Sequence, residues 1–95
     1  MIKVLMERAI PPGFDTSDDS QVAQHARYAV DGFAALAGRG AWIETYITED
    51  KLFGVAVFET EADIAAYRAR VGTTAQQVTI HRIKRIIDAA SAAPR

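Results

Sequence analysis

Trp42, Glu44 and Tyr46 stand at alternate positions, and in an extended chain alternate side chains leave the same side of the backbone. Two flat apolar walls, a phenol donor and a carboxylate on one face are what a small-molecule pocket is built from. Glu7 is a second candidate. It shares a strand side with Lys3 and Leu5, whereas Arg8 lies opposite with Val4 and Met6. A carboxylate on a central strand needs a cationic partner, and Arg82, Lys84 or Arg85 is available to supply one. Desolvation raises the pKa of such a group and a cation lowers it, so the balance decides whether Glu7 takes protons near neutrality.

His81 alternates with Thr79, Ile83, Arg85 and Ile87 and is the histidine better placed for chemistry. It would act as a general base with Glu44 or Tyr46, or as a metal ligand with carboxylates. The catalytic candidates are therefore Glu44, His81 and Glu7, and the ligand-lining candidates are Trp42, Tyr46, Phe53 and Val55. His25 falls at the edge of a helical apolar arc, a structural position where the ring packs and one nitrogen stays wet. The two histidines show neither i,i+4 nor His-x-Glu spacing, so no residue is assigned to a metal. There is no phosphate-cradling glycine loop and no Gly-x-Ser-x-Gly elbow. Gly38-Arg39-Gly40 follows a helix, where a nucleotide fingerprint must follow a strand.

The elements that must position these residues follow from periodicity and punctuation. Ile2 to Ile10 reads as a strand closed by Pro11-Pro12-Gly13. Asp15-Thr16-Ser17-Asp18-Asp19 supplies helix caps and early acids, and Val22, Ala26, Ala29, Val30, Phe33, Leu36 and Ala37 recur at helical spacing. Glycines 38 and 40 stop that helix near Ala37. Ala41 to Thr48 alternates as a second strand, and Lys51 to Glu59, apolar on both sides, reads as a central third. Thr60 and Asp63 form a capping-box variant before a shorter helix with Ile64, Tyr67 and Val71 on one face, ending at Gly72. After a polar loop, Val78 to Ile87 reads as the fourth strand.

The order β-α-β-β-α-β predicts an α+β fold, a ferredoxin-like sandwich with a four-stranded antiparallel sheet in spatial order four, one, three, two. The domain spans residues 1–88, and 89–95 is a tail that frays. Both helices cover one sheet face, so the other, with Trp42 and Tyr46 assigned to it, is expected to pair with a second copy in a dimeric α/β barrel.

Composition narrows the function classes. With 95 residues, no cysteine, and 11 basic against 12 acidic side chains, the chain has no disulfide, thiol nucleophile or Cys-bearing metal site. Its net charge of −1 gives no electrostatic reason to bind nucleic acid. The longest apolar run, Phe53 to Phe58, is far short of a membrane span, and a cytoplasmic location is expected. A domain this small hides only about 60% of its unfolded surface alone, which favours self-association.

Glu7-Arg8-x-x-Pro11-Pro12-Gly13, Trp42-x-Glu44-x-Tyr46 before an acidic turn and Lys51, Phe58-Glu59-Thr60 at a strand end, and Arg85-Ile86-Ile87-Asp88 together resemble a family of small bacterial proteins of unknown function that includes a nickel-binding member. The resemblance spans nearly the whole chain and implies a ferredoxin-like subunit that pairs into dimers. Members of that family often carry a cysteine in the third strand and several histidines. Here Gly54-Val55-Ala56-Val57 occupies that strand and the chain has two histidines.

The resulting expectation is a homodimer that binds a small organic ligand in an enclosed cavity, without a bound cofactor. Its chemistry would be general acid–base catalysis or, by analogy of fold, monooxygenase-like oxygenation. The alternatives are a divalent-metal (nickel) binding protein and a non-catalytic interaction module.

Overall fold

The computed structural model describes residues 1–71 and 78–92. Strand β1 covers Ile2–Ala9 and ends where the two prolines would remove ladder donors. Asp18 then caps helix α1, Asp19–Ala34, by accepting from the Ser20 amide at 2.9 Å. The helix gives way to a turn closed by Ala37 and Gly38, both left-handed with φ of 51° and 84°, so Leu36 and Ala37 lie beyond it. Strand β2, Gly40–Ile47, and strand β3, Lys51–Phe58, form a hairpin. The Thr60–Asp63 capping box is made: each backbone amide donates to the other's side chain at 3.2 Å. It opens helix α2, Glu61–Val71.

Strand β4 is shorter than expected, Thr79–Arg82. Its pairing with β1 sets Val4 opposite Arg82, and the Ile83 amide makes a last bond to the Lys3 carbonyl at 2.8 Å. That register would bring Lys84 opposite Ile2, the first residue of β1, so Arg85 to Ile87 have no strand to pair with. The expected tail contains one 3-10 turn, Ala89–Ala92, held by reciprocal bonds between Asp88 and Ser91. The expected helix stop at Gly72, the loop after it and the chain end from 93 on lie outside the described residues.

The sheet order is β2-β3-β1-β4, antiparallel throughout. The architecture is thus α+β, with an open four-stranded sheet and two helices, compatible with a ferredoxin-like sandwich. Val4 and Met6 of β1 and Leu52, Ala56 and Phe58 of β3 are buried toward the helices, with Phe33, Leu36 and Ile64 completing the core. Phe33, Phe58 and Tyr67 form an aromatic cluster with ring centroids 4.6 to 5.6 Å apart. The opposite sheet face carries half-buried Leu5, Phe53, Val55 and Val57.

Two expectations about faces fail. A β-bulge between Trp42 and Glu44 inserts Ile43 without a partner, so Trp42 pairs with Ala56 and Glu44 with Val55. Trp42 thereby joins the helix side, packed on the core, while Glu44 and Tyr46 remain on the open side. The indole, expected to be covered by a second copy, packs on the core of its own chain. In α1, Val22 and Val30 are exposed, and the buried side runs through half-buried His25, Ala29 and Gly32 to Phe33. The rotation follows the sheet, because Phe33 must reach Phe58 and Tyr67.

Candidate functional site

Between α1, Tyr67 of α2 and the sheet lies a partly enclosed pocket of about 60 Å³. Its floor is Met6, Leu52 and Gly54. Bare Gly54 keeps that floor low: a Cβ there would stand 3.3 Å from the Met6 methyl and 3.4 Å from Thr45 Oγ1. Trp42 forms a wall and is fixed by its indole N–H, which donates to Thr45 Oγ1 at 2.9 Å. His25, Tyr28 and Tyr67 line the remainder, and Arg8 supplies the charge.

Arg8 is the least expected member. It lies in the same strand register as Val4 and Met6 and therefore faces the helices. Among the described residues its single polar contact is a long one, Nη2 to His25 Nδ1 at 3.5 Å, and no carboxylate pairs with it. Burial first, then the Arg8 charge, pushes His25 below its ordinary value of 6.5, so the imidazole is neutral at pH 7. Its ring stacks on Phe14 at 5.4 Å. Burial likewise raises the Tyr67 phenol, with Arg8 working the other way. Next to this pocket is an open depression of about 310 Å³ along Pro11 to Phe14, Gln21 and Gln24, and the two share His25 and Tyr28.

The open sheet face holds the sequence-assigned acid–base candidates. Glu7 accepts from Lys51 Nζ at 2.7 Å through Oε2 and lies 3.0 Å from His81 Nε2 through Oε1. Lys51 and then His81 hold the Glu7 carboxyl below the usual carboxylate range, and Glu7 in turn raises Lys51. The cations expected as partners do not pair with Glu7: Arg82 forms a two-pronged pair with Glu61, and among the described residues neither Lys84 nor Arg85 forms an ion pair. The Glu44 carboxylate on the same side of the strand raises the Tyr46 phenol.

Glu7 and His81 are thus brought together, but Glu44 is not near them. Glu44, Val55, Leu5 and His81 form one row across four strands, three strand spacings or about 14 Å from end to end. Phe53, Val55 and Tyr46 share the open face, whereas the fourth expected lining residue, Trp42, is on the other side of the sheet. No single-subunit cavity contains all four. Arg8, His25, Tyr28 and Tyr67 were not assigned to a site from sequence. Arg8 carried the usable signal, a cation at a position whose strand neighbours Val4 and Met6 belong to the core.

Among the described residues no three His, Asp or Glu side chains gather as a metal ion requires, and no helix is long and apolar enough to cross a membrane. Comparison with models of known families, with curated proteins and with solved structures gives no match to any of the three.

Proposed function

We propose that the chain is a small-molecule-binding protein acting as a homodimer, with the ligand seated in the pocket between α1 and the sheet and the open sheet faces of two copies in contact. The observation that carries this reading is the pocket itself: aromatic walls, a glycine floor and the guanidinium of half-buried Arg8 with, among the described residues, no carboxylate beside it. A cation turned toward the helix side of the sheet with no counter-charge is not what packing alone would place there. Trp42 is the chain's single tryptophan and lines the pocket, so its fluorescence reports occupancy directly. Titration with a panel of small aromatic compounds is expected to give a saturable change in Trp42 emission together with a raised Tm. A panel that moves neither would overturn the reading.

A second reading, general acid–base chemistry on the open face, is favoured by the 3.0 Å approach of Glu7 to His81. An ionised Glu7 fixes the imidazole with Nε2–H toward it and leaves Nδ1 as the free base. The ¹⁵N shifts of the His81 ring test this, with the Nε2–H tautomer expected at pH 8. The Nδ1–H tautomer would remove Glu7 as the orienting group.

A further inference from the structure

We propose that the ligand of the helix-side pocket is a monocarboxylate whose head group sits on the Arg8 guanidinium and whose apolar body leaves past His25 and Tyr28. This rests on the pocket being a binding site and adds the class of molecule it selects.

A guanidinium offers five N–H donors in a planar fork that matches a carboxylate in two parallel bonds. Arg8 spends at most one of them within the described chain, on a 3.5 Å contact, which is at the long limit of a hydrogen bond. The neighbouring groups add no second cation. His25 is held neutral by burial and by Arg8 itself, and the other polar side chains lining the pocket are the phenols of Tyr28 and Tyr67 and the Trp42–Thr45 pair, which bond to each other. One positive charge suits a singly charged anion, and a phosphate would ask for more charge and more donors than the pocket holds. No acidic side chain competes, since Glu7, the nearest in sequence, faces the other side of the sheet and is engaged by Lys51 and His81.

Size points the same way. The partly enclosed space of about 60 Å³ admits a head group such as a carboxylate and is far below the ~300 Å³ at which whole-ligand cavities begin. The body of the ligand must therefore extend outward. The adjoining depression of about 310 Å³ begins at the same two side chains, and the Phe14–His25 stack offers its flat wall to an aryl or alkyl group.

Benzoate and benzamide form a pair of nearly equal shape that differ in charge, and binding of each to the full chain can be followed by Trp42 fluorescence and by thermal shift. Benzoate is expected to bind at least about tenfold more tightly than benzamide, a difference of ~1.4 kcal/mol. Arg8→Met keeps the apolar stem and should erase that preference, bringing benzoate affinity down to that of benzamide or below. Equal binding of the two compounds to the unaltered protein would overturn carboxylate selection and leave the pocket intact as a binding site. Binding of neither would overturn the pocket reading as well. Should Arg8→Met fail to fold, the comparison of the two compounds on the unaltered chain still decides. Unchanged benzoate affinity in a folded Arg8→Met would also overturn the proposal.

Discussion

Arg8 and Glu7 are neighbours in the chain with opposite surroundings, and the alternation of a strand is the whole cause. Glu7 is flanked by Lys51 and His81 on an open face, while Arg8 is turned among aromatic rings and a neutral imidazole. These settings make different pH signatures. The Glu7 carboxyl is lowered from 4.5 in the fold, so the unfolded chain binds its proton first as pH falls. Its contribution is complete above pH 4.5 and lost on acidification through the folded value. Glu7→Gln should therefore reduce stability at pH 7 and flatten the acid limb of a Tm-against-pH curve. His25 also has a lowered value, from 6.5, but here it is the neutral form that the fold favours. Stability is complete above pH 6.5 and declines as pH falls below it, because the unfolded chain then takes up the proton more readily. His25→Gln should remove that decline, and denaturant unfolding at pH 5.5 and 7.5 measures it. An unchanged difference between the two pH values would show that His25 is not the titrating group.

Among the elements, what can be read from the chain is what depends on near neighbours. The capping residues Asp18, Thr60 and Asp63, the proline stop after β1, the helix pair and the strand order all follow from local chemistry and from the rule that hairpins and crossovers impose. The β2 bulge does not. Trp42-Ile43-Glu44-Thr45-Tyr46 reads as unbroken alternation, and an extra residue becomes visible only when β3 supplies the register, with Ala56 and Val55 opposite Trp42 and Glu44. One inserted residue then moves the indole to the other layer. The side of α1 that is buried is hidden for the same reason: Val30 has the more apolar side chain, but His25 and Gly32 face the sheet. Thr45 is the residue that holds the bulged conformation in place, by accepting from the indole. Thr45→Val leaves that half-buried donor unsatisfied and should cost about 1 kcal/mol in urea unfolding. It should also loosen Trp42, seen as a drop in its fluorescence anisotropy. Loss of stability with unchanged anisotropy would place the cost elsewhere in β2.

At the scale of the molecule, the unsolved problem of this chain is its surface. A folded monomer of 10.4 kDa is expected to expose about 5,400 Å², and this subunit exposes 6642 Å². The open sheet face contributes Leu5, Phe53, Val55 and Val57, each half-buried, with Tyr46 54% exposed at the edge. Residues 83–92 add Ile86 and Ile87. A standard interface covers about 800 Å² per partner, and the open sheet face is the apolar surface offered for one. Lys51 and His81 both reach Glu7 across the face, so its central carboxylate is not left unpaired, which lessens the cost of covering it with a second apolar sheet. Val55 lies between Leu5 and Glu44 in the middle of that face, away from the core and from the helix-side pocket. Val55→Lys should therefore separate the copies without unfolding them: light scattering is expected to give twice 10.4 kDa for the unaltered chain at tens of micromolar and the single-chain mass for the variant. Far-UV circular dichroism should be the same for both. A monomeric unaltered chain would mean that this face meets water or a different molecule, and a dimeric Val55→Lys would move the contact to the β2 edge or to residues 83–92.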